Sequence, residues 1–189
     1  MRDKVRYMAD PLSGRQVALF PTQLGWMACQ WCAGRLEKNW FGEPSRRAIE
    51  QRWATGGEWI TTRDSESELV ELVARLTRYA CEFADDFRDV PLEYASMGRF
   101  ARRVSELCRQ IPLGETRTYA ELARQAGSPG AARAVGNTMA RNPFPLVVPC
   151  HRVVAANGQL GGYSAPEGLT MKRRLLAAEA RTHSSVLSS

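Results

Sequence analysis

Pro149-Cys150-His151-Arg152 sets a thiol beside one of only two histidines in a chain of 189 residues. A cysteine acts as a nucleophile when its thiolate is favoured, and an imidazole able to relay the proton is the commonest means. The tetrapeptide alone fits a second reading equally well, a small apolar thiol buried in a core, because neighbours in sequence need not face one another. The elements around it have to decide.

Those elements fall into two parts and give an α+β chain. In the first, residues 1–92, Gln16-Val17-Ala18-Leu19-Phe20 and Gly25 to Trp31 read as strands. A turn at Ala33-Gly34 leads to a third strand around Leu36 to Trp40, which makes a small antiparallel sheet. From Ser67 to Phe83, Leu69, Leu72, Val73, Leu76 and Ala80 recur at helical spacing, so a helix is expected to pack on that sheet. Acidic residues and Val90-Pro91-Leu92 then form a linker near 88–96.

The second part, residues 96–181, is mainly helical. Phe100, Val104, Leu107, Cys108 and Ile111 share one face of its first helix, which makes Cys108 a core residue. Thr118-x-x-Glu121 reads as a capping box opening a short helix through Ala126. After Gly127, Ser128 is expected to cap a second helix with Pro129 at its first position, running to about Arg141 before Asn142-Pro143 stops it. Two short helices across a tight turn suggest a helix-turn-helix. The polar residues 182–189 are expected to be a flexible tail.

Composition sets outer bounds. With 44% hydrophobic residues the chain can bury a core, and no run approaches the ~20 apolar residues of a membrane span. The polar start Met1-Arg2-Asp3-Lys4 lacks a secretion signal, and five scattered cysteines suit reduced thiols, so an intracellular protein is expected, cytoplasmic and nucleoid-associated if bacterial. Residues 1–95 hold 13 Lys/Arg against 15 Asp/Glu, whereas residues 96–189 hold 13 against 5, a contrast of −2 with +8. The basic half attracts polyanions, nucleic acid first among them, although such an excess also occurs on surfaces that are simply soluble.

A helix-turn-helix a few residues ahead of a thiol and an imidazole joins a DNA grip to a nucleophile, as an enzyme acting on a flipped base requires. In these residues the chain resembles the O6-alkylguanine-DNA alkyltransferases, also called methylated-DNA–protein-cysteine methyltransferases. The resemblance covers about residues 96–181. It runs through Tyr119, Ala131-Ala132-Arg133-Ala134-Val135-Gly136, Asn142-Pro143, Pro149-Cys150-His151-Arg152-Val153-Val154, Gly162-Tyr163-Ser164 and Lys172 to Glu179. The first half is similar only loosely, through Leu24-Gly25-Trp26, and the resemblance implies a ribonuclease-H-like α/β shape for it.

The resemblance implies an irreversible, single-turnover transfer of the alkyl group from O6-alkylguanine, less securely O4-methylthymine, in double-stranded DNA to Cys150. It assigns Glu179, His151 and a water to a proton relay from the thiol. Tyr119 would turn a target phosphate and donate to the departing base, and Asn142 would tie the helix-turn-helix to the active-site loop. Ser164 would bond O6, the carbonyls of Cys150 and Val153 would take the exocyclic amine, and Met139 and Tyr163 would wall the pocket. Arg133 would replace the flipped base in the stack, with Ala132 and Gly136 against DNA; glycine inside a helix costs ~1 kcal/mol relative to alanine, so a contact reason is expected there. Spacing alone also allows Arg133 to meet only a phosphate, Asn142 to make a simple turn, Glu179 to lie in solvent, and Tyr119, Met139 and Tyr163 to pack in a core.

No cofactor, membrane or obligatory protein partner is implied, and a monomer is expected. Zinc is not expected: Cys29, Cys32 and Cys81 give three thiolates in a half without histidine, short of four ligands. Ala165-Pro166-Glu167-Gly168 is two residues longer than in many members of the family and is expected to alter tolerance for bulky alkyl groups. Three readings remain beside the transferase: an alkyltransferase-like protein that binds lesions without accepting the group, a helix-turn-helix regulator, and a cysteine hydrolase using His151. The first is disfavoured by the presence of Cys150, the second leaves Pro-Cys-His-Arg unexplained, and the third needs a direct thiol–imidazole contact that sequence neighbours seldom make.

Overall fold

A computed structural model describes residues 5–10, 12–53, 58–60, 65, 67–156 and 158–187. The chain divides into two units, Met1–Glu82 with Asp89–Glu93, and Phe83–Arg88 with Tyr94–Ser189. Together they give a mixed α/β protein with one antiparallel sheet and several helices.

The first unit is built on strands β1 (Arg6–Asp10), β2 (Arg15–Thr22), β3 (Gly25–Cys32), β4 (Arg35–Glu43) and β5 (Glu58–Ile60), in the order β4-β3-β2-β1-β5 with every pairing antiparallel. Ala33 and Gly34 both hold positive φ, 48° and 74°, which is the backbone of a tight two-residue hairpin and joins β3 to β4 at the expected place. Helix α1 (Arg46–Arg52) starts at Ser45, whose side chain accepts from Ala48 N, and buries Ile49 and Trp53 against Met8, Val17, Leu19, Trp26 and Ala28. Alternation along a strand sends Ala18, Phe20, Met27, Cys29 and Trp31 to the opposite face, where helix α2 (Ser67–Glu82) packs with Leu69, Leu72, Val73, Leu76, Tyr79 and Ala80.

The sequence reading omitted β1, β5 and α1. The first two are short, five and three residues, and α1 spans seven, too few for a period to show. The expected linker is also divided. Pro91 and Glu93 bond the backbone of Leu36 on β4, while Phe87 and Arg88 offer their carbonyls to Arg109, so residues 83–88 and 89–93 belong to different units.

The second unit carries helices α3 (Arg99–Arg109), α4 (Tyr119–Gln125), α5 (Ala132–Ala140) and α6 (Leu169–Leu187). Two-residue strands β6 (Arg117–Thr118) and β7 (Val153–Val154) pair in parallel. The capping box forms as read: Thr118 Oγ1 accepts from Glu121 N at 3.1 Å while Glu121 Oε2 accepts from Thr118 N at 2.6 Å. Helix α4 ends in a Schellman turn, with Gly127 at φ 75°, its N–H on Arg124 O and that of Ser128 on Ala123 O.

That turn overturns one expectation. Ser128 does not cap α5, because its backbone already closes α4. Residues 128–131 form a further turn, Ala131 N on Ser128 O, and α5 begins at Ala132 without a side-chain cap. The tail expectation also changes, since α6 continues to Leu187. Thr182 and Ser184 return their hydroxyls to Ala178 and Ala180 carbonyls, and His183 lies so close to Gly114 that a β-carbon there would meet it at 2.7 Å. Residues 188 and 189 lie outside the described residues.

The capping box supplies a prediction for the element that presents Tyr119. Replacing Thr118 by alanine is expected to lower stability by about 1 kcal/mol, read from the midpoint of denaturant unfolding at constant m-value.

Candidate active site

Asn142 follows α5 and governs the chain that leads to the thiol. Its Nδ2 donates to Val148 O at 2.8 Å and its Oδ1 accepts from Phe144 N at 2.9 Å. Val148 N bonds Phe144 O, Cys150 N bonds Val148 O, and between them Leu146 is held at φ 72°, a conformation costly for a branched side chain and kept by the packing of a 2%-exposed residue. This closed ring delivers Cys150 into a 3-10 turn, Cys150–Arg152, whose three side chains are all buried.

Under that turn lies a carboxylate. Glu179 on α6 shares Oε1 between His151 Nε2 at 2.9 Å and Arg152 Nη2 at 2.8 Å, and its Oε2 accepts from Arg152 Nε at 2.8 Å. The remaining arm of Arg152 donates to the carbonyl of Ile111 just beyond α3. Burial would raise the Glu179 pKa, but the imidazole and guanidinium more than offset it and hold the carboxyl well below the usual carboxylate range. For His151 burial wins, and its pKa falls, so at rest the imidazole is neutral and Arg152 supplies the positive charge. His151 Nδ1 makes no hydrogen bond within the protein.

Cys150 is 6% exposed, and burial raises its thiol pKa against the opposing pull of the Asn142 side chain and the Lys172 charge. Lys172, one turn into α6, is itself buried. Its ammonium donates to Val153 O at 2.6 Å and to Leu160 O, lies 5.9 Å from the centre of the Tyr119 ring, and is brought down by burial to about 8.

Beside these groups a cavity of about 790 Å³ opens to the surface, lined by Tyr119, Ala132, Arg133, Gly136, Tyr163 and Ser164 among others. Tyr119, the first residue of α4, is placed by the capping box behind it and by Gly161 in front: a β-carbon at Gly161 would meet the phenol oxygen at 2.6 Å. A β-carbon at Gly136 would meet nothing outside its own helix nearer than Tyr119 Cε1 at 4.0 Å, so packing inside the protein does not require glycine.

The structure thus brings together most of the residues singled out in the sequence. Cys150, His151 and Glu179 form one buried cluster, and Tyr119, Ala132, Arg133, Gly136, Tyr163 and Ser164 one pocket. Met139 and Val153 are not on its wall. Met139 pairs with Val135 on the buried side of α5, and Val153 is fully buried, its carbonyl engaged by Lys172. The Ser164 hydroxyl donates to Ala140 O, fastening the pocket loop to the end of α5. Residues Ala165 to Gly168 form a turn into α6, with Gly168 N on Ala165 O, and do not line the cavity. The sequence reading gave no role to Arg152 or Lys172. A signal existed: Lys172 and Glu179 share the face of α6 that carries Met171, Leu175 and Ala178, and a charge on an apolar face calls for a buried partner.

Residues 99–181 match the family described as 6-O-methylguanine DNA methyltransferase, DNA binding domain. A methylated-DNA–protein-cysteine methyltransferase of Methanosarcina acetivorans is 45% identical over 126 residues, 66% of this chain and 80% of the relative. One of Mycolicibacterium paratuberculosis is 49% identical over 100 residues, 52% of this chain. The matched stretch spans 59% of that relative's length and 64% of the Mycobacterium leprae relative's. Among solved structures, Mycobacterium tuberculosis OGT in complex with DNA superposes with a TM-score of 0.65 at 29% identity, covering 87% of this chain and 92% of the other. The O6-methylguanine DNA methyltransferase of Methanococcus jannaschii gives 0.62 at 28%, covering 86% and 92%. Fold and site define a mixed α/β protein with a buried cysteine–histidine–glutamate centre. The chain belongs to the methylated-DNA–protein-cysteine methyltransferase family.

The shared carboxylate predicts a pH signature. Replacing Glu179 by glutamine strands the buried Arg152 and is expected to cost about 3–5 kcal/mol at neutral pH. Because the folded pKa of Glu179 is depressed, its contribution is complete above the unfolded value and is lost as pH falls through the folded one. The gap between wild type and variant should therefore narrow in urea unfolding as the solution is made acidic, and a gap constant with pH would contradict it.

Proposed function

We propose that the protein repairs DNA by direct reversal, moving the alkyl group from O6-alkylguanine in duplex DNA to Cys150 once per molecule. The observation that carries this reading is the buried Cys150–His151–Glu179 cluster together with an open cavity lined by α5, with its Arg133, and by Tyr119, which interacts electrostatically with Cys150. Family membership supports it, and so does a relative solved with DNA.

In this reading α4 and α5 act as the helix-turn-helix. Ala132, Gly136 and Ala140 give α5 a low surface that lets DNA approach closely, and Arg133 enters the stack where the flipped nucleotide has left. The missing packing reason for Gly136 supports a contact with something outside the protein. The flipped base occupies the cavity beside Tyr119 and Tyr163. Ser164 can turn its hydroxyl from Ala140 O to the O6 atom, and the second lone pairs on the Cys150 and Val153 carbonyls can take the exocyclic amine. Asn142 holds the thiol's loop to the end of α5.

The step balances as an in-line displacement. The thiol proton passes through water to His151 Nδ1, the ring end without a protein partner, while Glu179 fixes Nε2 and stabilises the imidazolium. The thiolate forms a bond to the alkyl carbon, the C–O6 bond breaks, and its electron pair stays on guanine. Tyr119, whose pKa burial raises so that it keeps its proton at neutral pH, protonates the departing base and recovers a proton from His151 or solvent. No cofactor enters. The thioether is a poor leaving group, which makes the product final. We further propose O4-methylthymine as a lesser substrate, a monomer as the acting form, and a ribonuclease-H-like scaffold for the first unit, supported by a helix on each face of its sheet.

The test is intact-protein mass spectrometry after incubation with duplex DNA carrying O6-methylguanine. One methyl group located on Cys150 is expected, none in the Cys150→Ser variant, and the variant should still prefer lesion DNA. Tight binding with unchanged wild-type mass would mean lesion recognition without transfer, and no preference for the lesion would leave a regulator.

A further inference from the structure

Lys172 is a buried charge that the roles above leave unused. Its hydrogen bonds go to two neutral groups, the carbonyls of Val153 and Leu160, and its third neighbour is the face of Tyr119. No carboxylate pairs with it among the described residues. Glu179, two turns further along the same helix, is engaged by His151 and Arg152. A buried ammonium without a counter-anion carries an uncompensated desolvation cost, so a fold that keeps one is suited to an anion that comes and goes.

The ionisable groups facing it are few. The 3-10 turn presents Cys150, His151 and Arg152, α3 presents Cys108, α4 presents Tyr119, and α6 itself contributes Glu179. His151 and Arg152 can only add positive charge. Cys108 is fully enclosed, and burial holds it strongly in its thiol form. Cys150 has the His151 imidazole next to it in the same turn and interacts electrostatically with Tyr119 on the cavity wall. Lys172 also reaches it through structure, because Val153, whose carbonyl it grips, ends the cysteine's own turn, and Leu160 precedes Gly161, which sets Tyr119.

Resting on the proposed transfer chemistry, we propose that Lys172 is the counter-charge of the Cys150 thiolate, a positioning residue that never touches the base. Its ammonium stabilises the sulfur anion once His151 has taken the proton, and its two carbonyl bonds keep the thiol's turn in register with the segment beneath Tyr119. When the sulfur–carbon bond forms, the negative charge leaves with the guanine electron pair, and Lys172 is again without an anion.

The experiment titrates the ultraviolet thiolate band of the whole protein, with the Cys150→Ser signal subtracted, in wild type, Lys172→Met and Lys172→Arg. Lys172→Met is expected to move the Cys150 titration upward by about one pH unit, a tenfold smaller thiolate fraction near neutral pH, and Lys172→Arg, which keeps the charge, to move it much less. The transfer rate of Lys172→Met should fall by about tenfold near neutral pH and recover toward wild type as pH passes the thiol pKa. Lys172→Gln, still able to donate to a carbonyl, replaces the methionine variant should circular dichroism show that one unfolded. An unmoved titration in a folded neutral variant, or equal shifts in the arginine and neutral variants, would overturn the proposal. So would a rate lowered by one factor at every pH. The titration needs no DNA, so it remains readable even in a protein that gains no mass from the lesion.

Discussion

The Glu179 carboxylate, buried with both oxygens occupied, is the interaction on which the second unit depends. An ionised carboxyl can be taken out of water only where fixed donors replace its hydration. Here the donors come from Arg152 and His151, and Arg152 in turn needs the Ile111 carbonyl. Three separate stretches are thereby held: α6, the turn after Pro149, and the end of α3. Loss of any one would leave a charge stranded. The same carboxylate orients the imidazole, since it engages Nε2 and leaves Nδ1 without a hydrogen-bond partner in the protein.

A second constraint acts on the thiol. Burial raises its pKa, which protects it from indiscriminate reaction but also works against the thiolate. The fold answers with nearby polar groups rather than with solvent. Asn142 and Lys172 both pull the pKa down, and the loop that carries the cysteine is closed tightly enough to hold Leu146 in a left-handed conformation. Strain of about 1–3 kcal/mol at such a residue persists only where surrounding bonds over-determine it. The position of the sulfur is therefore set by the ring from Asn142 to Cys150.

Elements with a period or a cap were legible in the sequence. Strands β2, β3 and β4, helix α2 and the Thr118 box were all visible, because each repeats a pattern over enough residues or uses a side chain with one geometric purpose. Short β1, β5 and α1 carried no such pattern. Ser128 misled because a serine before proline fits a helix start as well as it fits a turn, and the competing Schellman closure depends on the carbonyl of Ala123, which no local motif reveals. In the site, the motif residues of one contiguous stretch were easy to place. Arg152 and Lys172 were harder, since their importance lies in partners 27 and 19 residues away along the chain.

The arrangement also separates two tasks that sequence proximity had merged. Arg133 and Gly136 lie on the open cavity wall, whereas Cys150 and His151, a short loop further on, are enclosed. A base still stacked in a duplex could lie against α5 but could not bring an O6 substituent to a sulfur that is 6% exposed. For the proposed substrate, then, extrusion of the nucleotide is a geometric requirement, and the unstacking energy of a few kcal/mol must come from the contacts α5 makes with DNA. On the proposed reading, the basic half of the chain and the small residues on that helix would belong to the catalytic arrangement, because they would supply the energy that carries the target to an enclosed thiol.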